Sequence, residues 1–140
     1  MPKTHLVRIC LEGKFSNRNW RLKMEIKRLY LAGSITGNKR YKDEFSRASW
    51  QLKNAGYVVE NPVDFCNEDW SWQECMRKCI RVLSKQNAIA VIGNVQNSKG
   101  ASLELKIGEA LGMEIKSVEE WIEGNVLGLE NIDKTSTLQD

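Results

Sequence analysis

The sequence is poor in the residues that mark several classes of protein. Its 140 residues include one histidine and two prolines, and the formal net charge is only +3. No apolar run approaches the ~20 residues that a membrane-spanning helix needs, and no secretory signal is visible. The basic residues are scattered, without the clustered patch that nucleic-acid binding requires. We therefore expect a cytoplasmic protein of one domain that binds neither membranes nor nucleic acid.

The cysteines form a poor set of metal ligands. There are four, Cys10, Cys66, Cys75 and Cys79, beside the single histidine. Cys75 and Cys79 are four residues apart on a predicted helix, a spacing that none of the usual zinc sites uses. Buried, reduced thiols are the expected state in a cytoplasmic protein. Neither a metal nor another cofactor is predicted.

Patterns typical of strands and helices alternate from residue 27 onward. Strands are predicted at 28–32, 57–60, 89–92 and 114–117, and helices from 41 towards the glycine at 56, at 72–84, at 99–111 and at 118–123. A capping box, Ser71 to Glu74, sets the start of the second helix. This alternation, with near-continuous apolar strands, predicts an α/β fold in which helices cover both faces of a parallel sheet.

Both ends of the chain look peripheral to the predicted domain, which spans residues 27–123. Residues 1–26 form an N-terminal extension without clear periodicity. Two explanations stay open for it, a start codon assigned too early and an additional strand. Residues 124–140 are predicted to be a polar tail outside the domain.

The most informative segment follows the third predicted strand. Residues 97–104 combine small and hydroxyl side chains with a glutamate, Glu104, in the predicted first turn of a helix. The helix dipole favours an ionised carboxylate there. The apolar stripe with Glu104 at its edge is predicted to consist of Leu103, Ile107, Ala110 and Leu111. The alternative is a glutamate that only complements the dipole and belongs to no site.

Two loops rich in glycine and hydroxyl residues are expected to meet. Residues 33–37 follow the first strand, and residues 97–100 follow the third. In doubly wound parallel sheets, ligands bind beyond the carboxyl ends of the strands, where the strand order reverses. Hydroxyls and backbone N–H groups at a helix start suit an anion. We predict that both loops line one pocket.

Four segments, taken in order, resemble one group of proteins. They are YLAGSITG at 30–37, GYVVENP at 56–62, DWSW at 69–72 and the Ser98-x-Gly100-x-x-x-Glu104 pattern. Together they resemble the nucleoside 2-deoxyribosyltransferase-like superfamily, and most closely its small DUF4406 branch of bacteria and phages, over roughly residues 27–116. The resemblance implies a flavodoxin-like, Rossmann-type three-layer fold whose parallel sheet has about four to five strands. It also implies a homodimer or larger homo-oligomer that acts on a nucleoside or nucleotide.

The resemblance also implies roles for individual residues. In the transferases, the glutamate matching Glu104 is the nucleophile at the anomeric carbon, where a carboxylate stabilises an oxocarbenium-like transition state. Relatives that hydrolyse deoxynucleoside 5′-monophosphates bind phosphate through serines matching Ser34 and Ser98. Nucleoside transferases carry an aspartate at the second of these positions, which would repel a phosphate. The resemblance thus implies cleavage or transfer at the N-glycosidic bond of a (deoxy)nucleoside 5′-monophosphate.

Two positions depart from the family pattern. Cys79 and Asn87 stand where family members usually carry aspartates, of which the first orients the ligand and handles the proton on the leaving base. A cysteine does not replace that acid near neutral pH unless its pKa is strongly perturbed. Asp69 and Asp64 are the candidate replacements. The alternative function is therefore a catalytically weak or silent nucleotide-binding module.

The candidate site collects these assignments. Its predicted catalytic residues are Glu104 and Asp69, and its predicted substrate-binding residues are Tyr30, Gly33, Ser34, Ile35, Gly37, Trp70, Ser98 and Gly100. Tyr30 either stacks on a base or packs within its strand. Trp70 either stacks on a base or packs on Cys75 as a hydrophobic staple. The base, the sugar and the choice between hydrolysis and transfer stay open.

Overall fold

A computed structural model describes residues 27–125, which form a parallel sheet flanked by helices. In chain order the elements are β1 (Arg28–Ala32), α1 (Tyr41–Asn54), β2 (Val58–Glu60), α2 (Pro62–Phe65), α3 (Trp72–Leu83), β3 (Ala88–Val91), α4 (Lys99–Ala110), β4 (Glu114–Ser117) and α5 (118–125). The predicted N-terminal extension and the predicted tail beyond residue 125 lie outside the described residues. Between residues 27 and 125, no helix is long and apolar enough to cross a membrane.

The four strands are parallel and lie in the order β2-β1-β3-β4. In the register of the sheet, Leu29 of β1 pairs with Val59 of β2 on one side and with Ala88 of β3 on the other. The chain therefore passes from β1 to β2 on one side of β1, and later places β3 on the other side. The strand order reverses between β1 and β3, which is where sheets of this kind bind ligands. The predicted α/β fold with a parallel sheet is confirmed.

Alternate residues of β1 contribute to two cores on opposite faces of the sheet. Leu29 and Leu31 face a core that α1 and α5 complete. Tyr30 and Ala32 face the other core, which is completed by α3 and α4. Because successive side chains of a strand point to opposite faces, one short strand anchors both helical layers. This is the three-layer arrangement that the sequence pattern predicts.

Local capping hydrogen bonds fix where α2 and α3 begin. The predicted capping box is confirmed, since Ser71 Oγ accepts from Glu74 N at 3.2 Å and Glu74 Oε2 accepts from Ser71 N at 2.7 Å. The short helix α2 is an addition to the predicted elements. Asn61 caps it by accepting from Val63 N at 3.1 Å, and Pro62 occupies its first position. Proline suits that position because it has no N–H to leave unpaired.

Candidate active site

A cleft of about 860 Å³ opens at the carboxyl ends of β1 and β3. The loop after β1 lines it with Gly33 and Ile35, and the loop at the start of α4 lines it with residues 97–100. The segment from α2 into α3 forms a further wall. The prediction that the two loops line one pocket is therefore confirmed. The volume of the cleft falls within the range of small-molecule sites.

Tyr30 and Glu104 form a buried pair in the lining of this cleft. Tyr30 has no exposed surface, and Glu104 is 5% exposed. The Tyr30 hydroxyl donates a hydrogen bond to Glu104 Oε2, which ties β1 to α4. Tyr30 thus packs within its strand and also contacts the candidate nucleophile, a contact that the sequence pattern did not predict.

Glu104 lies on the buried face of α4 rather than at the edge of an apolar stripe. The buried residues of this helix are Ala101, Glu104 and Gly108. The predicted stripe is wrong, because three of its four members are exposed: Leu103, Ala110 and Leu111. Small residues let this helix approach the sheet, and a Cβ at Gly108 would lie 2.4 Å from Ile89 Cδ1. The glutamate also belongs to the second turn of the helix, not to the first as predicted.

Burial controls the electrostatics of the pair. Desolvation raises the pKa of Glu104 to about 7, and the hydrogen bond from Tyr30 opposes that rise. Desolvation therefore outweighs the expected effect of the helix dipole, which favours the ionised carboxylate but acts mainly within the first turn. Burial and the nearby carboxylate also raise the pKa of Tyr30, so its phenol stays protonated and remains a hydrogen-bond donor.

The stability of the folded chain should therefore depend on the protonation of Glu104. Its folded pKa of about 7 lies above the ordinary value of 4.5, so the folded state binds this proton more tightly than the unfolded state. The resulting contribution to the free energy of unfolding is complete below the unfolded pKa. It is lost as pH rises through the folded pKa, which lowers the free energy of unfolding by up to about 3 kcal/mol. Urea unfolding at about pH 5 and about pH 8 measures the loss.

In Glu104→Gln this part of the pH dependence should disappear, because the amide does not titrate. Glu109→Gln provides the matched control, since Glu109 is an exposed residue of the same helix. That control should retain the pH dependence of the wild type. An unchanged pH dependence in Glu104→Gln would contradict the assigned burial of the carboxylate.

Ser98 caps α4 at the edge of the cleft. Its Oγ accepts a hydrogen bond from Ala101 N at 3.2 Å, and both Ser98 and Gly100 line the cleft. The first N–H groups of a helix have no partner within the helix, so the start of α4 offers donors to a ligand. Ser34 and Gly37 belong to the loop after β1 but stand outside the lining residues. Phosphate binding by the two serines stays a prediction.

Aromatic and charged side chains line the outer part of the cleft. Trp70 is 40% exposed and belongs to the lining, so its indole is available to a ligand. Lys99 Nζ lies 4.1 Å from the centroid of the neighbouring Trp72 ring, within the range of a cation–π contact. Lys42 forms an ion pair with Glu68 at the same cleft. Four of these were not predicted as site residues, because no local pattern in the sequence places them at the cleft: Lys42, Glu68, Trp72 and Lys99.

The two residues that depart from the family pattern lie in different parts of the structure. Cys79 lies in the cleft lining. Asn87 lies at the amino end of the sheet, where its Oδ1 accepts a hydrogen bond from Arg28 N at 3.0 Å. The candidate replacement acids, Asp69 and Asp64, are exposed and stand outside the lining. The structure does not bring either of them to the candidate nucleophile, and a catalytic role for Asp69 stays a prediction.

The cysteines also differ from the expectation. Cys66 and Cys75 form a disulfide, whereas Cys79 is a buried free thiol. The prediction of reduced thiols is therefore wrong for the first two, and Cys10 lies outside the described residues. Folding brings the end of α2 against the start of α3, so the Cα atoms of the pair are 5.5 Å apart. Burial raises the pKa of Cys79 to about 11, so it is not an acid near neutral pH.

Comparisons with known proteins give a family and a fold. A family model described as "Domain of unknown function (DUF4406)" matches residues 27–117. Among solved structures, a 2-deoxyribosyltransferase from the psychrotolerant bacterium Bacillus psychrosaccharolyticus is similar, with a TM-score of 0.51 and 21% sequence identity. The similarity covers 63% of this chain and 69% of that one. No curated protein matches the sequence. At this identity the structural likeness shows a shared fold.

Proposed function

The chain belongs to the DUF4406 family, as its motifs predict, and from this premise we propose that it cleaves or transfers at the N-glycosidic bond of a (deoxy)nucleoside 5′-monophosphate. The observation that carries the proposal is the buried Tyr30–Glu104 pair in a cleft at the strand-order reversal. The fold shared with a 2-deoxyribosyltransferase supports this reaction class. Glu104 is the nucleophile in the proposal.

The proposed reaction has two steps. In the first, a carboxylate oxygen of Glu104 bonds to the anomeric carbon while the N-glycosidic bond breaks. The electron pair of that bond leaves with the base, which takes up a proton from solvent. In the second, water or another base attacks the same carbon and loses a proton to solvent, and the glutamate leaves as a carboxylate. Two displacements through a glycosyl ester replace one difficult step with two easier ones.

Tyr30 is proposed to position and stabilise the nucleophile. Glu104 attacks only when ionised, and burial raises its pKa to about 7. The hydrogen bond from the Tyr30 hydroxyl favours the ionised carboxylate and fixes the orientation of its oxygens. The rate should therefore increase as pH rises through about 7, as the carboxylate loses its proton.

The start of α4 supports a phosphorylated ligand. Its N–H groups and its dipole favour an anion. The oxygen of Ser98 accepts the capping hydrogen bond from Ala101, which leaves the hydroxyl hydrogen for a ligand. Lys99 adds a positive charge at the same edge of the cleft. These groups suit a 5′-phosphate better than an uncharged 5′-hydroxyl.

Assembly and location are further parts of the proposal. The family resemblance implies a homodimer or larger homo-oligomer, and the lack of a visible secretory signal is the basis for proposing a cytoplasmic location. A large apolar side chain of α1, Trp50, is 66% exposed and is a candidate contact in such an assembly. Light scattering on the purified chain measures its mass in solution. A monomer at all protein concentrations would contradict this part of the proposal and leave the chemistry unaffected.

The direct test of the activity is base release. Purified protein is incubated with a panel of ribo- and deoxyribonucleoside 5′-monophosphates, each with and without a second free base. Chromatography then separates bases from nucleotides. Release without an acceptor indicates hydrolysis, and a new nucleotide formed only with an acceptor indicates transfer. The absence of both across the panel would overturn the proposed enzymatic function.

A silent nucleotide-binding module is the second candidate function. The observation that favours it is Cys79, which lies in the cleft where family members carry an aspartate and has a pKa raised to about 11. Such a module would be stabilised by nucleotides without releasing a base. At a ligand concentration ~100 times its dissociation constant, binding adds about 2.7 kcal/mol of stability, which a thermal-shift screen detects.

For a silent module, restoring the acid should restore chemistry. We expect Cys79→Asp to raise base release at least about tenfold, since a general acid typically contributes 10²–10⁴-fold. Asn87→Asp is the matched control, because Asn87 lies at the opposite end of the sheet and should leave the rate unchanged. Chromatography measures both variants. A higher rate in Asn87→Asp alone would contradict this assignment of the missing acid.

A further inference from the structure

Three cysteines that are separate in the sequence meet in one wall of the cleft. Cys66 follows the last residue of α2, whereas Cys75 and Cys79 occupy successive turns of α3. Their three Sγ atoms lie within 4.8 Å of one another, and all three residues line the cleft. The structure therefore creates a cluster that the linear spacing of the cysteines does not predict.

The separations in this cluster match those of a metal–thiolate site. Tetrahedral zinc with Zn–S bonds of about 2.3 Å holds neighbouring sulfur atoms about 3.8 Å apart. Cys79 Sγ lies 3.6 Å from Cys66 Sγ and 3.9 Å from Cys75 Sγ. Two of the three sulfur–sulfur distances therefore already fit such a site. The third distance, between the sulfur atoms of Cys66 and Cys75, is held short by the disulfide and can lengthen when that bond is reduced.

We propose that the reduced chain binds one thiophilic divalent cation of the zinc class through the thiolates of Cys66, Cys75 and Cys79. The fourth ligand position faces the cleft and is available to water, as in zinc sites with three protein ligands. Soft thiolates select cations of this class over magnesium or calcium. The site adjoins the Tyr30–Glu104 pair, since Cys79 also interacts with the Tyr30 hydroxyl, but metal binding does not depend on the proposed reaction.

Metal binding and the disulfide are mutually exclusive states of the same cluster. A dithiol reductant supplies two electrons and two protons, which break the Cys66–Cys75 bond and leave two thiols, while the dithiol itself becomes a disulfide. The cation then replaces the protons of all three thiols, which pass to solvent. In reducing surroundings the metal-binding state is favoured, and in oxidising surroundings the disulfide is favoured.

The experiment measures metal binding directly in a Cys10→Ser background, which removes the one cysteine outside the cluster. The chain is reduced with a dithiol without oxygen, desalted, and titrated with Zn²⁺ against a zinc-chelating dye. We expect one Zn²⁺ per reduced chain. The oxidised chain should not compete with the dye. Replacing Cys66, Cys75 or Cys79 with serine should each weaken binding at least about 100-fold, because each removes one of three ligands.

Titration with Co²⁺ gives a second readout on the unchanged cluster. The absorption bands of a tetrahedral cobalt–thiolate site should appear with the reduced chain and be absent with the oxidised chain. Circular dichroism shows whether each serine variant is folded. If a variant is misfolded, the cobalt spectrum of the chain with all three cluster cysteines is the deciding measurement. The proposal is overturned if Cys79→Ser binds as tightly as the parent. It is also overturned if the fully reduced chain shows neither one bound Zn²⁺ nor the cobalt bands.

Discussion

Glu104→Gln should lower base release by at least about 1,000-fold, the largest effect expected of any single substitution in this chain. The amide occupies the same space and still accepts the hydrogen bond from Tyr30, but it cannot form the glycosyl ester. Removal of a nucleophile eliminates a contribution made in the transition state, so kcat should fall while nucleotide binding persists. Single-turnover kinetics and calorimetric titration measure the two quantities separately.

The matched control is Glu109→Gln. Glu109 lies on the same helix, but its side chain faces solvent, so the rate should equal that of the wild type. Thermal unfolding establishes that both variants remain folded. Equal rates of turnover in Glu104→Gln and the wild type would show that the nucleophile is another group, and the assignment of Glu104 would then be wrong.

The second large effect concerns the phosphate. We expect a nucleoside 5′-monophosphate to bind more than about tenfold tighter than the matching nucleoside, since one charge-assisted hydrogen bond contributes about 1.5–3 kcal/mol. Ser98→Asp should invert this preference, because a carboxylate at the start of α4 would face the phosphate. Aspartate is itself a good helix cap, so the fold of α4 should be retained.

Ser98→Asn separates the charge from the change of shape. Asparagine has the size of aspartate and caps helices equally well, but it carries no charge. It should therefore keep at least part of the preference for the monophosphate. Calorimetric titration of both ligands against the wild type and the two variants measures the effect. Equal affinity of the wild-type chain for nucleoside and monophosphate would contradict the phosphate assignment and favour a nucleoside transferase.

Much of the fold could be predicted because its signals are local in the sequence. Strand β1 was predicted with its observed bounds, Arg28–Ala32, since five apolar or flanking residues precede a glycine. The start of α3 was predicted from the capping box, whose hydrogen bonds join residues only three apart. The common pocket followed from topology, because the carboxyl ends of adjacent parallel strands lie at the same edge of a sheet.

The chemistry of the candidate site was predicted less completely. The apolar stripe placed Glu104 at the edge of α4, since apolar residues usually decide which face of a helix is buried. In this chain the small residues Ala101 and Gly108 decide it, because they permit close approach to the sheet. Burial of the carboxylate follows, and with it a pKa raised to about 7 rather than one governed by the helix dipole.

The sequence by itself determined the order of strands and helices, the parallel sheet and the two loops that meet at its edge. These depend on periodicity, caps and turns, which act between residues close together in the chain. Only the tertiary structure decided that Tyr30 donates a hydrogen bond to Glu104, that Cys66 lies beside Cys75 and Cys79, and that Asn87 lies far from the cleft. The first two contacts join residues from separate elements, and the position of Asn87 depends on the packing of the whole sheet. Depth of burial and distances across the chain arise when elements pack, and no local pattern encodes them.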